Sequence, residues 1–249
     1  MKTNTEFNIE RHLEEDHANL HSNNIKCFVY GGLDGIITTF AIISSCYGAG
    51  LNIKALLILG LSNVLADALS MGFGEFISAD LERDYINSEL KKEEEEYENN
   101  LEEEKSELAV ILEKNDSFSK EDSITVVNIF SKYKRPFLEL MMKKELELEF
   151  PESRKDIIEG SLSTFTSFIV FGLIPLIPYL IVFLNNQYII TDTLFFLSYG
   201  CTIFSISLLG YIYIHKTQQS FFYLFKFVFS ATIAALTAFI IGYLLESLL

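Results

Sequence analysis

The sequence lacks several features that mark common protein classes. Its three cysteines form no Cys-x-x-Cys pair and no Cys/His spacing typical of zinc sites, so we expect buried apolar thiols. No segment matches the Gly-x-x-x-x-Gly-Lys-Ser/Thr pattern, which argues against ATP-driven chemistry. The first 24 residues are polar and contain no apolar core of a signal peptide, so the first apolar segment is expected to direct its own insertion.

Charge is almost absent from residues 157–249, although the whole chain carries a formal net charge of -15. The charged residues are concentrated between positions 82 and 155, a stretch dense in Glu and Lys. Because 49% of all residues are hydrophobic, this segregation is typical of a membrane protein with a polar insert.

Five segments are long and apolar enough to cross a bilayer, which takes about 20 residues as a helix. They are residues 25–49, 53–79, 157–184, 191–214 and 221–245. The sequence therefore predicts an all-α membrane protein divided into an N-terminal segment, two transmembrane helices, an acidic helical insert and three further transmembrane helices. The corresponding ranges are 1–24, 25–79, 80–156 and 157–249.

Basic residues predict the orientation, because positive charge is enriched on the cytosolic side. On the other face only Lys54 appears. We therefore expect a cytosolic N-terminus and insert and a lumenal C-terminus. The residues on the cytosolic face are Lys2, Arg11, Lys26, Arg83, Arg154, Lys155 and Lys216.

The insert is predicted to form three helices. The first covers residues 79–114, and the second covers 120–133 with Ser119 as its N-cap. The third starts at Pro136, a favourable first helical residue, and stops before Pro151.

Carboxylates of the first insert helix fall into two classes on a helical wheel. Glu95, Glu98 and Glu102 point away from the apolar stripe, as expected of a solvated face. The second class borders the packing face, where like charges on consecutive turns repel one another and raise their pKa values. This second class favours cation binding over a solvated surface, and it consists of Glu93, Glu96, Glu104 and Glu107.

The third insert helix places Met141, Met142 and Glu145 on one face. A methionine pair is more often core filling than ligand, but here an inward glutamate lies one turn away. Carboxylates with thioethers favour Fe²⁺ or a similar borderline ion over Mg²⁺ or Ca²⁺.

Polar side chains inside the first two spans suggest an ion or proton path. Asp34 lies among glycines in the first span, and a carboxylate there is costly unless it is functional. Asn63, Asp67 and Met71 share one face of the second span; polar contacts between helices are the alternative. In the third span, Pro175 and Pro178 are expected to kink the helix.

Two histidines, His12 and His17, lie with His21 in the polar N-terminal segment. A solvated lead-in is the simpler interpretation, and weak metal capture is the alternative.

Five short motifs together resemble the vacuolar iron transporter family over nearly the whole chain. They are Gly-Gly-Leu-Asp-Gly at 31–35, Leu-Ser-Met-Gly at 69–72, the Glu-rich helix, Leu-Met-Met-Lys-Lys-Glu-Leu at 140–146 and Leu-Ile-Pro-Tyr at 176–179. The resemblance implies a homodimeric Fe²⁺/proton exchanger with five spans and a cytosolic three-helix metal-binding domain. Many relatives have a glutamate where this chain has Asn63; Asp67 is the carboxylate one turn on.

By position, the resemblance assigns Asp34 and Met71 to the membrane ion site. It assigns to the cytosolic site the inward glutamates of the first insert helix and three residues of the third: Glu93, Glu96, Glu104, Glu107, Met141, Met142 and Glu145. The protein is then expected to be a transporter in the bilayer of a vacuole or other endomembrane, and not an enzyme. Fe²⁺ is its substrate, with Mn²⁺ or Zn²⁺ possible, protons are the counter-ion, and no nucleic-acid partner is expected.

Three alternatives stay open. Oxygen-rich sites also accept Mn²⁺, so a Mn²⁺ exporter would use the same machinery. A membrane-anchored metal sensor or buffer would explain the insert but not the polar spans. A di-iron ferroxidase is weakly supported, because the insert contains no histidine for the usual Glu-x-x-His pairs.

Overall fold

The computed structural model describes residues 19–185, 192–217 and 222–248. His12 and His17, the side chain of His21, and the predicted span limits at 191 and 221 lie outside what it describes. All regular structure in the described ranges is helical. The α-helices are α1 Asn19–Gly48, α2 Ile53–Asn99, α3 Leu101–Asn115, α4 Lys120–Phe130, α5 Lys134–Lys144, α6 Arg154–Leu173, α7 Ile177–Leu184, α8 Asp192–Thr217 and α9 Phe222–Leu248.

Five of these segments are long and apolar enough to cross a membrane, which confirms the five-span prediction. They comprise Asn24–Gly48, Ile53–Asn99, Arg154–Leu184, Asp192–Lys216 and Phe225–Leu248. Large apolar side chains on them face outward: Phe73 is 64% exposed and Phe225 is 65% exposed. Such exposure suits a lipid solvent, in which apolar side chains need no burial.

The second span has 47 residues, which makes it about 70 Å long at 1.5 Å per residue. A bilayer core takes about 20 of them, and the remaining residues form the charged half of the helix. The third span is kinked where expected, because a 3₁₀ turn at Ile174–Leu176, containing Pro175, separates α6 from α7.

The chain divides into two compact units, residues 76–157 and the remainder. In the membrane unit, the core forms where Phe40 and Ile43 of α1 meet Leu56 of α2, Phe168 of α6 and Tyr179 of α7. All five side chains are at most 2% exposed.

Glycines allow α1 and α6 to touch through their backbones. A Cβ on Gly35 would lie 2.5 Å from the Phe168 carbonyl oxygen, and one on Gly31 would clash with the Thr164 carbonyl. These glycines are therefore packed within one chain. Helix α6 of the same chain occupies that surface.

The insert is a three-helix core, but its first helix is not continuous as predicted. Asn100 leaves the helical conformation, with φ -131° and ψ 31°, and it separates α2 from α3. Hydrogen bonds continue across the break, because Asn100 N donates to the Glu96 carbonyl and Glu104 N to the Asn100 carbonyl. The chain is thus kinked at Asn100 rather than reversed.

The other two insert helices are shorter than predicted. Helix α4 ends at Phe130, and its Ser119 cap is confirmed because Ser119 Oγ accepts from Asp122 N at 3.1 Å. Helix α5 begins two residues before Pro136 and ends at Lys144, well before Pro151. The chain leaves the helix through Glu147, which has φ 55°.

The insert core is built by Leu108 and Leu112 of α3, Val127 of α4, and Phe137 and Met141 of α5. Tyr97 ties α2 to this core, since its hydroxyl donates to the Ser131 carbonyl at 2.9 Å. Its ring also lies 5.4 Å from that of Phe137.

Candidate functional site: an acidic cluster and a polar membrane row

Three glutamates of the insert come together at the kink. Carboxylate oxygens of Glu93, Glu96 and Glu104 lie within 4.8 Å of one another. On a straight helix Glu96 and Glu104 would be about 12 Å apart along the axis, so the kink at Asn100 and the long side chains together close this gap. Three converging carboxylates supply oxygen ligands for a divalent cation.

Two of these carboxylates are almost removed from water. Glu93 is 5% exposed and Glu104 is 7% exposed, whereas Glu96 is exposed. Glu93 Oε2 is buried and has no hydrogen-bond partner. A buried carboxylate oxygen without a partner is unfavourable, and a bound cation would satisfy it.

Repulsion and burial shift these groups strongly. Burial, followed by the charges of Glu145 and Glu104, raises the pKa of Glu93 to about 7. Burial, followed by the charges of Glu96 and Glu145, raises the pKa of Glu104 to about 7. The cluster therefore holds protons near neutral pH, and a cation must displace them.

Basic side chains pair with other glutamates of the insert and not with these. Glu89, Glu98 and Glu102 each form an ion pair with a lysine, with Nζ to Oε1 distances of 2.6–2.8 Å. In the described part of the chain, no lysine or arginine lies within 4 Å of the carboxylates of Glu93 or Glu104. Glu98 and Glu102, two of the glutamates predicted to be solvated, are thus paired with lysines, and the buried Glu93 and Glu104 are not.

The remaining predicted ligands lie nearby, in different environments. Glu107 and Glu145 are exposed, yet both contribute charge at Glu93. Burial and the charge of Glu107 raise the pKa of Glu145. Met141 and Met142 are fully buried, but Met141 packs in the apolar core, which is the core-filling alternative.

Glu145 is the C-cap residue of α5 and keeps a helical backbone, with φ -91° and ψ -53°. Its N–H donates to the Met141 carbonyl at 2.9 Å. Leu148 lies beyond the helix, and its N–H donates to the Met142 carbonyl at 2.9 Å.

In the membrane unit, the predicted polar residues of the second span form one row. Asn63, Asp67 and Met71 are each half-buried, and Asn63 Nδ2 donates to Asp67 Oδ2. Asp34 of α1 is also half-buried, and its charged neighbour is Asp67. The structure thus places the carboxylates of the first two spans within electrostatic range of each other.

Two residues that the sequence reasoning missed extend this row. The Cys27 thiol donates to Glu75 Oε1 at 3.5 Å, and Glu75 lies one helical turn after Met71. In two antiparallel helices, successive contacts run forward along one helix and backward along the other. Cys27 with Glu75 and Asp34 with Asp67 follow this order, so both pairs fit an antiparallel register of α1 and α2. Four-residue spacing after Met71 was the available signal for Glu75.

Comparison with protein families decides which kind of protein carries this arrangement. The model of the VIT family matches residues 25–243. The chain belongs to the VIT family. The match covers all five spans and the insert, so the resemblance suggested by the short motifs is confirmed.

The relatives carry one functional name. A vacuolar iron transporter of Plasmodium falciparum is 36% identical over 242 residues, which cover 96% of this chain and 88% of the relative. The vacuolar iron transporter of Toxoplasma gondii is 45% identical over 163 residues, 66% of this chain and 54% of the relative. Vacuolar iron transporter 1 of Arabidopsis thaliana is 29% identical and covers 86% of this chain.

Family membership and the five spans make this chain a multi-pass membrane protein of a transporter family, and not an enzyme. The aligned segment spans about half the length of the Toxoplasma relative and 88% of the Plasmodium falciparum one.

Proposed function

We propose that this VIT-family protein moves Fe²⁺ from the cytosol into a vacuole or similar compartment in exchange for protons. The names of its relatives support iron as cargo. The observation that carries the proposal is the cluster of Glu93, Glu96 and Glu104, three carboxylates within 4.8 Å of one another. Burial and the lack of a lysine partner make this cluster a cation acceptor.

The two sets of residues divide the work in this proposal. The insert captures Fe²⁺ and releases the protons that its raised pKa values hold. Asp34, Asp67 and Met71 then pass the ion through the membrane unit, with the Cys27–Glu75 pair at the end of the same row. Capture raises the ion concentration at the entrance, an effect that saturates at high iron.

The basic residues support an orientation with the insert in the cytosol, as the enrichment of Lys and Arg on that side predicts. Protons then move from the compartment to the cytosol while Fe²⁺ moves from the cytosol into the compartment. Asn63 donates to the Asp67 carboxylate, and in this proposal Asp67 is the carboxylate next to Asp34 that exchanges protons, with Glu75 two turns further along α2.

We further propose that the transporter is a homodimer joined along α2. Ser62, Ala66, Ser70 and Gly74 form a small-residue stripe at four-residue spacing, and all four are exposed in the single chain. Small residues let membrane helices approach closely. The stripe neighbours Asp67 and Met71, so a second copy would enclose the polar row.

Substitution at the stripe tests the dimer. Ser70→Trp should lower the dimer fraction in mild detergent, because a large side chain blocks close approach of two α2 helices. Val170→Trp is the matched control, since Val170 is 59% exposed on α6. A Ser70→Trp protein that stays as dimeric as the control contradicts this interface.

Mn²⁺ is the second candidate cargo, and one observation favours it. The three converging ligands are all carboxylates, which Mn²⁺ accepts as well as Fe²⁺ does, while Met141 packs in the core. A sensor or buffer without transport leaves the polar row in the spans without a role.

Uptake by reconstituted vesicles distinguishes these functions. The purified protein in proteoliposomes should take up Fe²⁺, and Mn²⁺ more slowly, with Zn²⁺ and Ca²⁺ as comparison ions. An acidic interior should accelerate uptake. Metal binding without uptake of any ion would support a sensor and contradict the transporter.

A further inference from the structure

A hydrogen bond joins the end of the first span to the start of the fourth. The Tyr47 hydroxyl donates to Asp192 Oδ1 at 2.6 Å. Its ring stacks on Phe195 at 4.4 Å and lies 6.0 Å from Phe239. Asp192 is exposed, so its carboxylate touches water on one side and a half-buried phenol on the other.

Tyr179 lies in the same part of the membrane unit. Its side chain is 0% exposed, and its hydroxyl has no hydrogen-bond partner. Its titratable neighbours are Tyr47 and Cys46 of α1. A buried hydroxyl calls for a polar partner, and ordered water is the usual one.

We infer that Asp192, Tyr47 and Tyr179 form a proton relay on the compartment side of the transporter. This inference rests on the proposed Fe²⁺/proton exchange and adds the residues through which the proton enters. Asp192 takes a proton from the aqueous compartment, and the bond to Tyr47 then reverses, so that the protonated carboxyl donates to the Tyr47 oxygen. As Tyr47 accepts this proton, it gives its own proton to a water molecule beside the Tyr179 hydroxyl. That water passes a proton on toward the membrane interior, so one proton enters, one leaves, and both phenols end unchanged.

Other titratable groups at this end belong to the surrounding helices. They are Lys54 on the first turn of α2, Tyr199 of α8, and Tyr243 and Glu246 of α9. Asp192 is the carboxylate directly bonded to Tyr47, which makes it the entry point.

Tyr179→Phe is the sharpest test. The change removes only the hydroxyl, which makes no hydrogen bond in the structure. A purely structural Tyr179 would tolerate its loss. A relay predicts that Fe²⁺-driven proton export falls at least fivefold.

The experiment uses the full-length chain in proteoliposomes, with the insert outside and a pH-sensitive dye inside. Fe²⁺ uptake and proton export are recorded while the interior pH is varied from 5 to 7.5. Asp192→Asn and Tyr47→Phe should also lower proton export at least fivefold and flatten its dependence on interior pH. Glu246→Gln, an equal charge change at the exposed end of α9, should behave as wild type.

The results separate the relay from the exchange itself. Wild-type-like coupling in Tyr179→Phe and Asp192→Asn overturns the relay while leaving the exchange intact. A uniform loss of rate at every interior pH would mean that the Tyr47–Asp192 bond only holds the helices, and it also overturns the relay. If wild type exports no protons during Fe²⁺ uptake, both the exchange and the relay are wrong.

Discussion

Metal binding at the insert should release protons, and the structure gives the size of the effect. The pKa values of Glu93 and Glu104 are both about 7. Each group is then about half protonated at pH 7, so binding should release about one proton per metal there. Release should rise to about two protons near pH 6 and fall toward zero near pH 8.

The same protons should weaken binding in acid. For each group, the ionised fraction falls about tenfold between pH 8 and pH 6, so two groups lower the apparent affinity about 100-fold. Because Glu93 and Glu104 interact, they titrate as a coupled pair. The measured affinity therefore reports the product of their two ionised fractions.

Calorimetry of the full-length protein in detergent measures both quantities. Titrations with Fe²⁺ under anaerobic conditions, in buffers of different ionisation enthalpy, yield the number of protons released. The Glu93→Gln, Glu104→Gln double variant removes the insert cluster. Its remaining signal reports any membrane site, and the difference from wild type is the contribution of the insert. Affinity that is equal at pH 6 and pH 8, with no proton release, would refute the assignment of the cluster.

Three further outcomes are expected. Without metal, the insert should be more stable at pH 5.5 than at pH 8. A carboxyl whose folded pKa lies above its unfolded value loses its stabilising contribution as pH rises through about 7. Glu93→Gln should reduce this pH difference in hydrogen-exchange protection, and a pH profile unchanged by the substitution would argue against a role of Glu93 in it. Asp34→Ala should abolish uptake at every iron concentration, whereas Glu104→Ala should slow it several-fold at low iron and little at high iron; equal loss at all concentrations in the second variant would show that capture is not its role. Gly35→Ala should destabilise the membrane unit by about 1–3 kcal/mol, because the new Cβ meets the α6 backbone, while Gly200→Ala, with open space around it, should be neutral in a thermal aggregation assay.

The spans and the insert could be predicted because their signals are strong. Apolar length and segregated charge decide where a bilayer can be crossed. Helical periodicity assigned Glu93, Glu96, Glu104 and Glu107 to the packing side. Glu93 and Glu104 are buried there, whereas Glu96 and Glu107 are exposed, because a wheel does not say how closely the neighbouring helices cover each turn.

Details that depend on tertiary packing could not be predicted. Asn100 breaks the helix in a stretch with no Gly or Pro, so no local signal marked it. Gly31 and Gly35 pack against α6 of the same chain, and the sequence does not indicate which helix makes that contact.

The Cys27–Glu75 contact was missed for a similar reason. Cys27 is buried as expected, at 4% exposure, yet its neighbour is a carboxylate that lies 48 residues away in the sequence. Only the pairing of α1 with α2 brings the two side chains together.

Simultaneous measurement of Fe²⁺ uptake and proton export in one vesicle preparation tests the central claim most directly. Vesicles with an acidic interior and the insert outside should take up Fe²⁺ and lose protons together, and both fluxes should vanish in Asp34→Ala. Fe²⁺ uptake without proton export, or undiminished uptake in Asp34→Ala, would contradict the account.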